Sequence, residues 1–280
     1  MTEEQRYKIH EKPPFNNASL VVAWSEDAGQ LGYKVADYVN NKLEGSFFCE
    51  IEPEGFFPLD GVTVKNDVAQ FPESKFYYYR DKNLVILKSN APRQEWYKFL
   101  NLILDISDHY CHIRELYTIG GIFSSSAHTT PRSLVSITNS SQMKTDLKPY
   151  DLNESENYET PSNQNPTLSS YLLWLAKHRE IKGASLWVQI PFYLASISDP
   201  RACIITMNFL NRRFDLGIDM TSFDEEMTKQ DEKIKQLISR FPEINDYIHK
   251  LESNLTLPTQ ESNKLAEIMA DYLDEKIELQ

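Results

Sequence analysis

Strand-like and helix-like hydrophobic patterns alternate along most of this chain, and this alternation constrains its fold more than any other feature. Residues 19–24 form a short, continuous apolar run of the kind found in a strand that is covered on both faces. Apolar residues spaced three and four apart over 29–44, followed by Gly45, predict a helix directly after it. The alternation returns later as a helix beginning at Pro92, a strand at 116–119, a helix at 168–181, a strand at 184–190 and a helix at 201–214. It predicts an α/β layered fold with a largely parallel sheet.

Short apolar runs between the first two helices predict hairpins that are added to this sheet. They are separated by turn residues such as Asp81, Lys82 and Asn83. The runs lie at 47–51, 62–64, 68–71, 76–79 and 84–87.

Two segments differ from this pattern and define the predicted domain organisation. Residues 144–166 are rich in Asn, Ser and Pro and predict a loop insertion within a core domain of residues 1–218. Residues 219–280 show helical amphipathic spacing and carry 7 basic and 15 acidic residues, a net charge of −8 within the chain's −12. We therefore predict an acidic C-terminal helical extension that packs on a neighbour or offers a surface to another protein.

Charge and cysteine content exclude several classes of protein. With 29 Lys and Arg against 41 Asp and Glu, attraction to nucleic acid or to an anionic membrane is not expected. The charged N-terminus and the lack of a long apolar run indicate a cytoplasmic protein without a signal peptide or membrane helix. Cys49, Cys111 and Cys203 are far apart, which argues against a disulfide framework or a zinc knuckle and favours three buried thiols.

Three loops carry the polar residues that could form a site. Ligands in open α/β sheets gather beyond the carboxyl ends of the strands, where such loops meet. The first loop spans 25–32, the second spans 120–132 with paired glycines, three hydroxyls, a histidine and an arginine, and the third follows the strand at 186–190. The candidate ligand-binding residues are Asp27, Gly29, Gly120, Gly121, Ser124, His128, Arg132, Pro191 and Tyr193.

None of these loops carries a complete catalytic or cofactor motif. The first lacks Gly-x-Gly-x-x-Gly and a Walker lysine, so helix capping and close packing remain an alternative to phosphate binding. Ser124 near His128 suggests a nucleophile, but no Gly-x-Ser-x-Gly elbow is present. His109, Cys111 and His112 lack a second ligand pair for a metal. We predict no catalytic residue, no metal and no cofactor.

These same loops resemble the proteasome assembly chaperone two family of archaeal and bacterial proteins. The stretch Ala23-Trp-Ser-Glu-Asp-Ala-Gly29 is similar to the family's Gly-Trp-x-Asp-Ala-Gly turn, and Gly120-Gly121 with His128-Thr-Thr-Pro-Arg132 is similar to its Gly-rich turn and Pro-His-Thr-Arg-Pro segment. The run from Ser185-Leu-Trp to Pro191-Phe-Tyr and Asp199-Pro-Arg-Ala202 resembles its Ser-Leu-Trp, Pro-His-Tyr and Asn-Pro-Lys-Ala segments.

The resemblance implies a fold and supports the first of two functional hypotheses, while the loop residues suggest the second. The fold is a three-layer α/β/α sandwich of the nucleoside-phosphorylase-like kind, often assembled into homo-oligomers, without an established catalytic reaction. The first hypothesis is a non-enzymatic assembly or interaction protein that associates with itself. The alternative is a protein that binds a nucleoside or an anionic small molecule, or a hydrolase or transferase. Its pocket would lie where the three loops converge.

Overall fold

The computed structural model describes residues 6–15, 17–58, 61–65, 67–150, 152 and 167–274. Within them, the strands are β1 (Tyr7–Ile9), β2 (Ser19–Trp24), β3 (Ser46–Ile51), β4 (Thr63–Lys65), β5 (Val68–Gln70), β6 (Ser74–Tyr79), β7 (Leu84–Ser89), β8 (Glu115–Ser124), β9 (Leu134–Thr138) and β10 (Lys182–Pro191). The helices are α1 (Leu31–Leu43), α2 (Trp96–Cys111), α3 (Ser141–Leu147), α4 (Leu168–His178), α5 (Pro200–Phe214), α6 (Thr221–Arg240), α7 (Pro242–Glu252) and α8 (Thr259–Asp274).

The described strands form one mixed sheet of eight strands and a separate two-stranded hairpin. The order in the large sheet is β1-β3-β6-β7-β2-β8-β10-β9. The four central strands β7, β2, β8 and β10 pair in parallel with each other. Each strand outside these four pairs antiparallel with its neighbour in the sheet. The hairpin of β4 and β5 pairs only with itself among the described strands.

Helices cover both faces of this sheet because the side chains of the central strands alternate between them. In β2, Val21 and Ala23 pack on one face with α1, α3, α5 and the C-terminal helices. Leu20 and Val22 pack on the other face with α2 and α4. The predicted α/β/α class is therefore confirmed, while the nucleoside-phosphorylase-like detail stays a prediction.

Local sequence signals explain where several helices begin. Asp199 precedes Pro200 and caps α5, since its Oδ1 accepts hydrogen bonds from the backbone N–H groups of Arg201 and Ala202 at 3.1 and 3.3 Å. Pro242 occupies the first turn of α7, as its sequence position predicts. α2 begins at Trp96 rather than at Pro92, because Glu95 adopts a left-handed backbone conformation with φ of 49°.

The structure differs from the sequence prediction at the second loop. Gly120, Gly121 and Ser124 belong to β8, which pairs with β10 in parallel register as far as Ser124 opposite Pro191. Ten consecutive pairs with β10 outweigh the low strand propensity of the two glycines. Pro191 is likewise the last residue of β10 and not a loop residue.

Other differences concern short elements. The strands β1 and β9 are absent from the sequence prediction. The first residues of the predicted insertion at 144–166 form the end of α3 and a tight turn at 148–150. Residues 151 and 153–166 of the insertion lie outside the described residues.

The C-terminal helices pack on the face of the sheet that carries α1 and α5. Buried side chains of α6, α7 and α8, among them Leu237, Ile248 and Met269, belong to the same apolar cluster as the sheet residues. Whether 219–280 forms a domain of its own remains a prediction. All three cysteines are buried thiols, and no helix in the described part of the chain is long and apolar enough to cross a membrane.

Candidate functional site

Three loops meet at the carboxyl ends of β2, β8 and β10, and we call residues 25–30, 125–133 and 192–199 the rim. Asp27 occupies the centre of the first loop. Its Oδ2 accepts hydrogen bonds from the backbone N–H groups of Gly32 and Gly121, both at 2.8 Å. A single carboxylate oxygen therefore ties the start of α1 to the middle of β8.

Glycines make room for the Asp27 carboxylate. A Cβ atom at Gly120 would lie 2.8 Å from Asp27 Oδ2, and one at Gly32 would lie 2.6 Å from a backbone oxygen of β8. At Gly121 a Cβ atom would lie 2.2 Å from the carbonyl oxygen of Ala28. The paired glycines thus allow close packing of the first loop on β8, which is the structural alternative to phosphate binding.

Burial changes the acidity of Asp27. Desolvation raises the pKa of its carboxyl to about 6, against the opposing effect of the backbone hydrogen bonds from Gly32 and Gly121. Asp27 Oδ1 is buried and has no hydrogen-bond partner among the described residues.

Gly29 joins the first loop to the third. Its N–H donates to the carbonyl oxygen of Ala195 at 2.7 Å. It has a φ of 68°, which L side chains rarely adopt.

His128 and Tyr193 form a second buried contact on the rim. The Tyr193 hydroxyl accepts a hydrogen bond from the His128 backbone N–H at 2.6 Å and lies 3.0 Å from His128 Nδ1. His128 is 7% exposed and Tyr193 is 1% exposed. Burial lowers the pKa of the His128 imidazole, and the charge of the nearby Arg201 lowers it further, so the neutral ring is favoured.

Arg132 and Asp199 form a buried ion pair between the second and third loops. Arg132 Nε donates to Asp199 Oδ2 at 2.8 Å, and the two side chains are 3% and 0% exposed. Arg132 Nη1 also donates to the carbonyl oxygen of Thr130 at 2.7 Å. Arg132 Nη2 is buried without a partner among the described residues. Sequence analysis did not pair Asp199 with Arg132, because the two residues lie 67 positions apart.

The C-terminal helices cover the rim. α8 packs on the short turn at Phe192–Leu194. Gln230 of α6 donates to the carbonyl oxygen of Ser198 at 2.7 Å, and the hydroxyl of Thr129 donates to Glu252 of α7 at 2.7 Å. Sequence analysis placed the tail on a neighbour but did not identify Gln230 or Glu252 as its contacts with the rim.

Comparison with known proteins follows from this geometry. The model of the PAC2 family matches residues 22–238, which include the whole rim and most of α6. This chain belongs to the PAC2 family. The resemblance predicted from the loop motifs is thereby confirmed. A search of curated proteins found no match.

Solved structures share the fold of this PAC2-family chain at low sequence identity. A Corynebacterium glutamicum protein of unknown function has a TM-score of 0.73 and 15% identity, with 89% of this chain and 96% of that chain covered. PbaB of Pyrococcus furiosus, described as an archaeal proteasome activator, has a TM-score of 0.68 and 18% identity, with 82% and 97% covered. A proteasome-assembly chaperone homologue of Mycobacterium tuberculosis has a TM-score of 0.68 and 15% identity, with 82% and 99% covered.

Most of the polar side chains described above on the rim of this PAC2-family chain bind groups of the protein itself, while Asp27 Oδ1 and Arg132 Nη2 have no partner among the described residues. Ser124 Oγ donates to Ser126 Oγ at 3.0 Å. No group of three His, Cys, Asp or Glu side chains that could hold a metal occurs among the described residues. Two grooves are lined in part by rim residues, one of about 500 Å³ that includes Arg132 and Arg212 and one of about 400 Å³ that includes Glu26 and Phe71.

Proposed function

We propose that this chain is a non-enzymatic assembly or interaction protein that associates with itself and acts on proteasome subunits in the manner of an assembly chaperone. The observation that carries this proposal is the internal use of the rim. Tyr193, Asp199 and the Arg132 side chain are almost fully buried and bind other rim groups. Because these side chains are buried and bind each other, the rim fits a protein-binding role better than catalysis, which needs side chains that can reach a substrate.

Family membership supports the same function. Solved structures with this fold include one described as an archaeal proteasome activator and one described as a proteasome-assembly chaperone homologue. As part of this proposal, we place the chain in the cytoplasm.

The C-terminal helices supply one surface for a second protein. Their outer face carries exposed acidic side chains, for example Asp224, Glu225 and Glu226 at the start of α6. A basic surface on the partner would match this face, and like charges would exclude acidic partners.

Co-expression tests the chaperone role. The full chain is co-expressed with the proteasome α-subunits encoded by the same genome, and the complexes are separated on native gels and weighed by native mass spectrometry. We expect a complex that contains the chain and more assembled α-rings than in the matched co-expression without it. No co-purification and an unchanged yield of rings would contradict the proposal.

The small-molecule alternative has less support because Tyr193 and the Arg132–Asp199 pair bind other rim groups. Asp27 Oδ1 and Arg132 Nη2 are the candidate atoms that are buried without a partner among the described residues. Thermal-shift measurements with nucleosides, nucleotides and sugar phosphates distinguish the two hypotheses. We expect no stabilisation. A shift that disappears in Arg132→Lys but persists in Lys235→Arg, an exposed control, would favour the alternative.

A further inference from the structure

A groove of about 400 Å³ lies at the carboxyl ends of the neighbouring parallel strands β2 and β7. The connection after β2 leads to α1 on one face of the sheet, and the connection after β7 leads to α2 on the other face. Adjacent strands whose connections leave toward opposite faces open a crevice between them, where α/β proteins commonly bind their ligands. Glu26 lines the groove from the first connection, Asn90 and Arg93 line it from the second, and Phe71 lines it directly after β5. We call it the β2–β7 groove.

Asn90 holds the bordering segments of the β2–β7 groove together. Its Nδ2 donates to Ser25 Oγ at 2.7 Å and to Glu26 Oε1 at 3.2 Å. Its Oδ1 accepts a hydrogen bond from the backbone N–H of Glu73 at 2.8 Å. Because these contacts are internal to the chain, this side of the groove is already formed, which lowers the entropic cost of binding.

The lining of the β2–β7 groove is acidic. Its charged lining residues in the described part of the chain are Glu26, Glu73 and Arg93. Glu73 already pairs with Lys75 at 2.9 Å. Glu26 accepts hydrogen bonds from neutral donors, among them the backbone N–H of Ala91 at 2.8 Å. The charge of Glu26 is therefore available to a positive group that enters the groove.

Beside the groove, an aromatic ring and a carboxylate already hold a positive charge. Lys88 Nζ lies 4.3 Å from the centroid of the Tyr33 ring, which lines the groove, and Lys88 also pairs with Asp37. Burial raises the pKa of the Tyr33 hydroxyl, and nearby carboxylates, chiefly Glu73, raise it further. The groove wall therefore has a negative potential, and the Phe71 ring gives it a further aromatic face for a cation.

The hairpin of β4 and β5 adds an exposed apolar strip next to the groove. Val64 pairs with Ala69, so both lie on the same face of the hairpin, and Val62 and Phe71 follow on that face two positions away. Val62, Val64 and Phe71 are 39%, 73% and 64% exposed. A two-stranded hairpin has little stability of its own, and this one pairs only with itself among the described strands. A partner that covers the apolar strip would stabilise it.

We propose that the β2–β7 groove receives a lysine or arginine side chain of a second protein, while the apolar residues beside that side chain cover the apolar strip. The inference rests on the proposed function for the existence of a protein partner and names the chemistry of the segment that is recognised. Charge complementarity favours this occupant, because an anion would face Glu26 and Glu73. A small free cation would fill the groove and leave the apolar strip in water, whereas a protein segment covers both.

Fluorescence anisotropy with the full chain and a labelled peptide tests the proposal. The probe is fluorescein-labelled Gly-Leu-Lys-Val-Lys-Leu-Gly, in which lysines alternate with apolar residues. Its matched control has both lysines acetylated, which removes their charge. At physiological ionic strength we expect saturable binding of the lysine peptide and at least about tenfold weaker binding of the acetylated one.

Two variants of the groove and two matched controls locate the binding. Glu26→Gln removes the carboxylate and Phe71→Ser removes the ring, and each should raise the dissociation constant of the lysine peptide at least about tenfold. Glu225→Gln and Phe123→Ser make the same changes at exposed positions that do not line the groove, and they should leave the dissociation constant unchanged. Circular dichroism melting curves establish that every variant folds.

Several results would overturn the proposal. These are the absence of binding by the native chain, equal binding of the two peptides, and an equal loss in the control variants. Displacement of the peptide by spermidine at lower concentrations than by the unlabelled peptide would assign the groove to a free polyamine. Loss of self-association in Phe71→Ser, measured by analytical ultracentrifugation, would assign the hairpin to a second copy of the chain.

The co-expression experiment with α-subunits reports on the proposed function separately. Assembled α-rings without peptide binding would overturn the assignment of the groove and leave the proposed function standing. Peptide binding that requires Glu26 and Phe71, without any effect on α-rings, would contradict the proteasome role and support the groove as a site for a basic segment.

Discussion

Asp27 connects two segments of backbone through one carboxylate oxygen, at an electrostatic cost that depends on pH. Because burial raises the pKa of its carboxyl from 3.8 to about 6, the folded state binds a proton at this group more strongly than the unfolded state does. Its contribution to the free energy of unfolding is therefore complete below about pH 4 and is lost as the pH rises through about 6.

Asp27→Asn should remove this pH dependence. The amide oxygen can still accept the bonds from Gly32 and Gly121, but it does not titrate. The free energy of unfolding of the native chain, measured by urea titration, should fall between pH 4 and pH 7 by roughly 2–3 kcal/mol more than that of the variant. Glu225→Gln, at an exposed position of α6, should keep the native profile. Identical profiles for Asp27→Asn and the native chain would refute the assignment.

Two glycine substitutions separate close packing from backbone strain. Gly121→Ala places a methyl group 2.2 Å from the Ala28 carbonyl oxygen, so it should prevent folding or lower the free energy of unfolding by several kcal/mol. Gly217→Ala meets no described atom within 4 Å and bears only the strain of a φ of 68°, about 1–2 kcal/mol. Soluble yield and urea unfolding measure both. Equal stability of the two variants would show that the first loop does not pack on β8 as described.

At the scale of elements, periodicity predicted the long helices and the central strands, and pairing decided the rest. α5 is predicted from Asp199 and Pro200, which signal its start within the local sequence. The extension of β8 through Gly120 and Gly121 depends on β10, more than sixty residues away, which no local pattern contains. The candidate site shows the same division. The sequence predicted the three loops. It did not predict the ion pair of Arg132 and Asp199, in which the arginine charge is neutralised inside the protein.

The C-terminal helices contribute to the core, and one pair of substitutions in α6 measures that contribution. Leu237 is 0% exposed, so Leu237→Ala should lower the free energy of unfolding by about 2–5 kcal/mol through lost burial and a cavity. Lys235→Ala, two positions earlier on the exposed side of α6, should change it by less than about 0.5 kcal/mol. Urea unfolding monitored by tryptophan fluorescence gives both values. A small effect of Leu237→Ala would favour a tail that is attached loosely to the core.

At the scale of the whole molecule, the two faces of the sheet carry different helices. One face carries α1, α5 and the acidic C-terminal helices over the rim, and the other carries α2 and α4. Under the proposed function, the C-terminal helices are available to a second protein.

Linkage of folding to association gives a prediction for the whole molecule. A protein that associates only when folded becomes more stable as its concentration rises. The melting temperature of the native chain should increase over a concentration series, which differential scanning calorimetry measures. A melting temperature that does not depend on concentration would contradict the self-association in the proposed function.

The position of α8 on the Phe192–Leu194 turn also bears on how the chain is made. A ribosome synthesises the strands, their loops and α1 to α5 before α6, α7 and α8, so the apolar surface that these last helices cover is exposed when the rest of the chain has left the exit tunnel. Domains that wait for distant segments are vulnerable to aggregation during translation. A cell that makes this protein therefore benefits from general holdase chaperones on the nascent chain, and a premature stop codon within α6 would yield an insoluble product rather than a shorter working one.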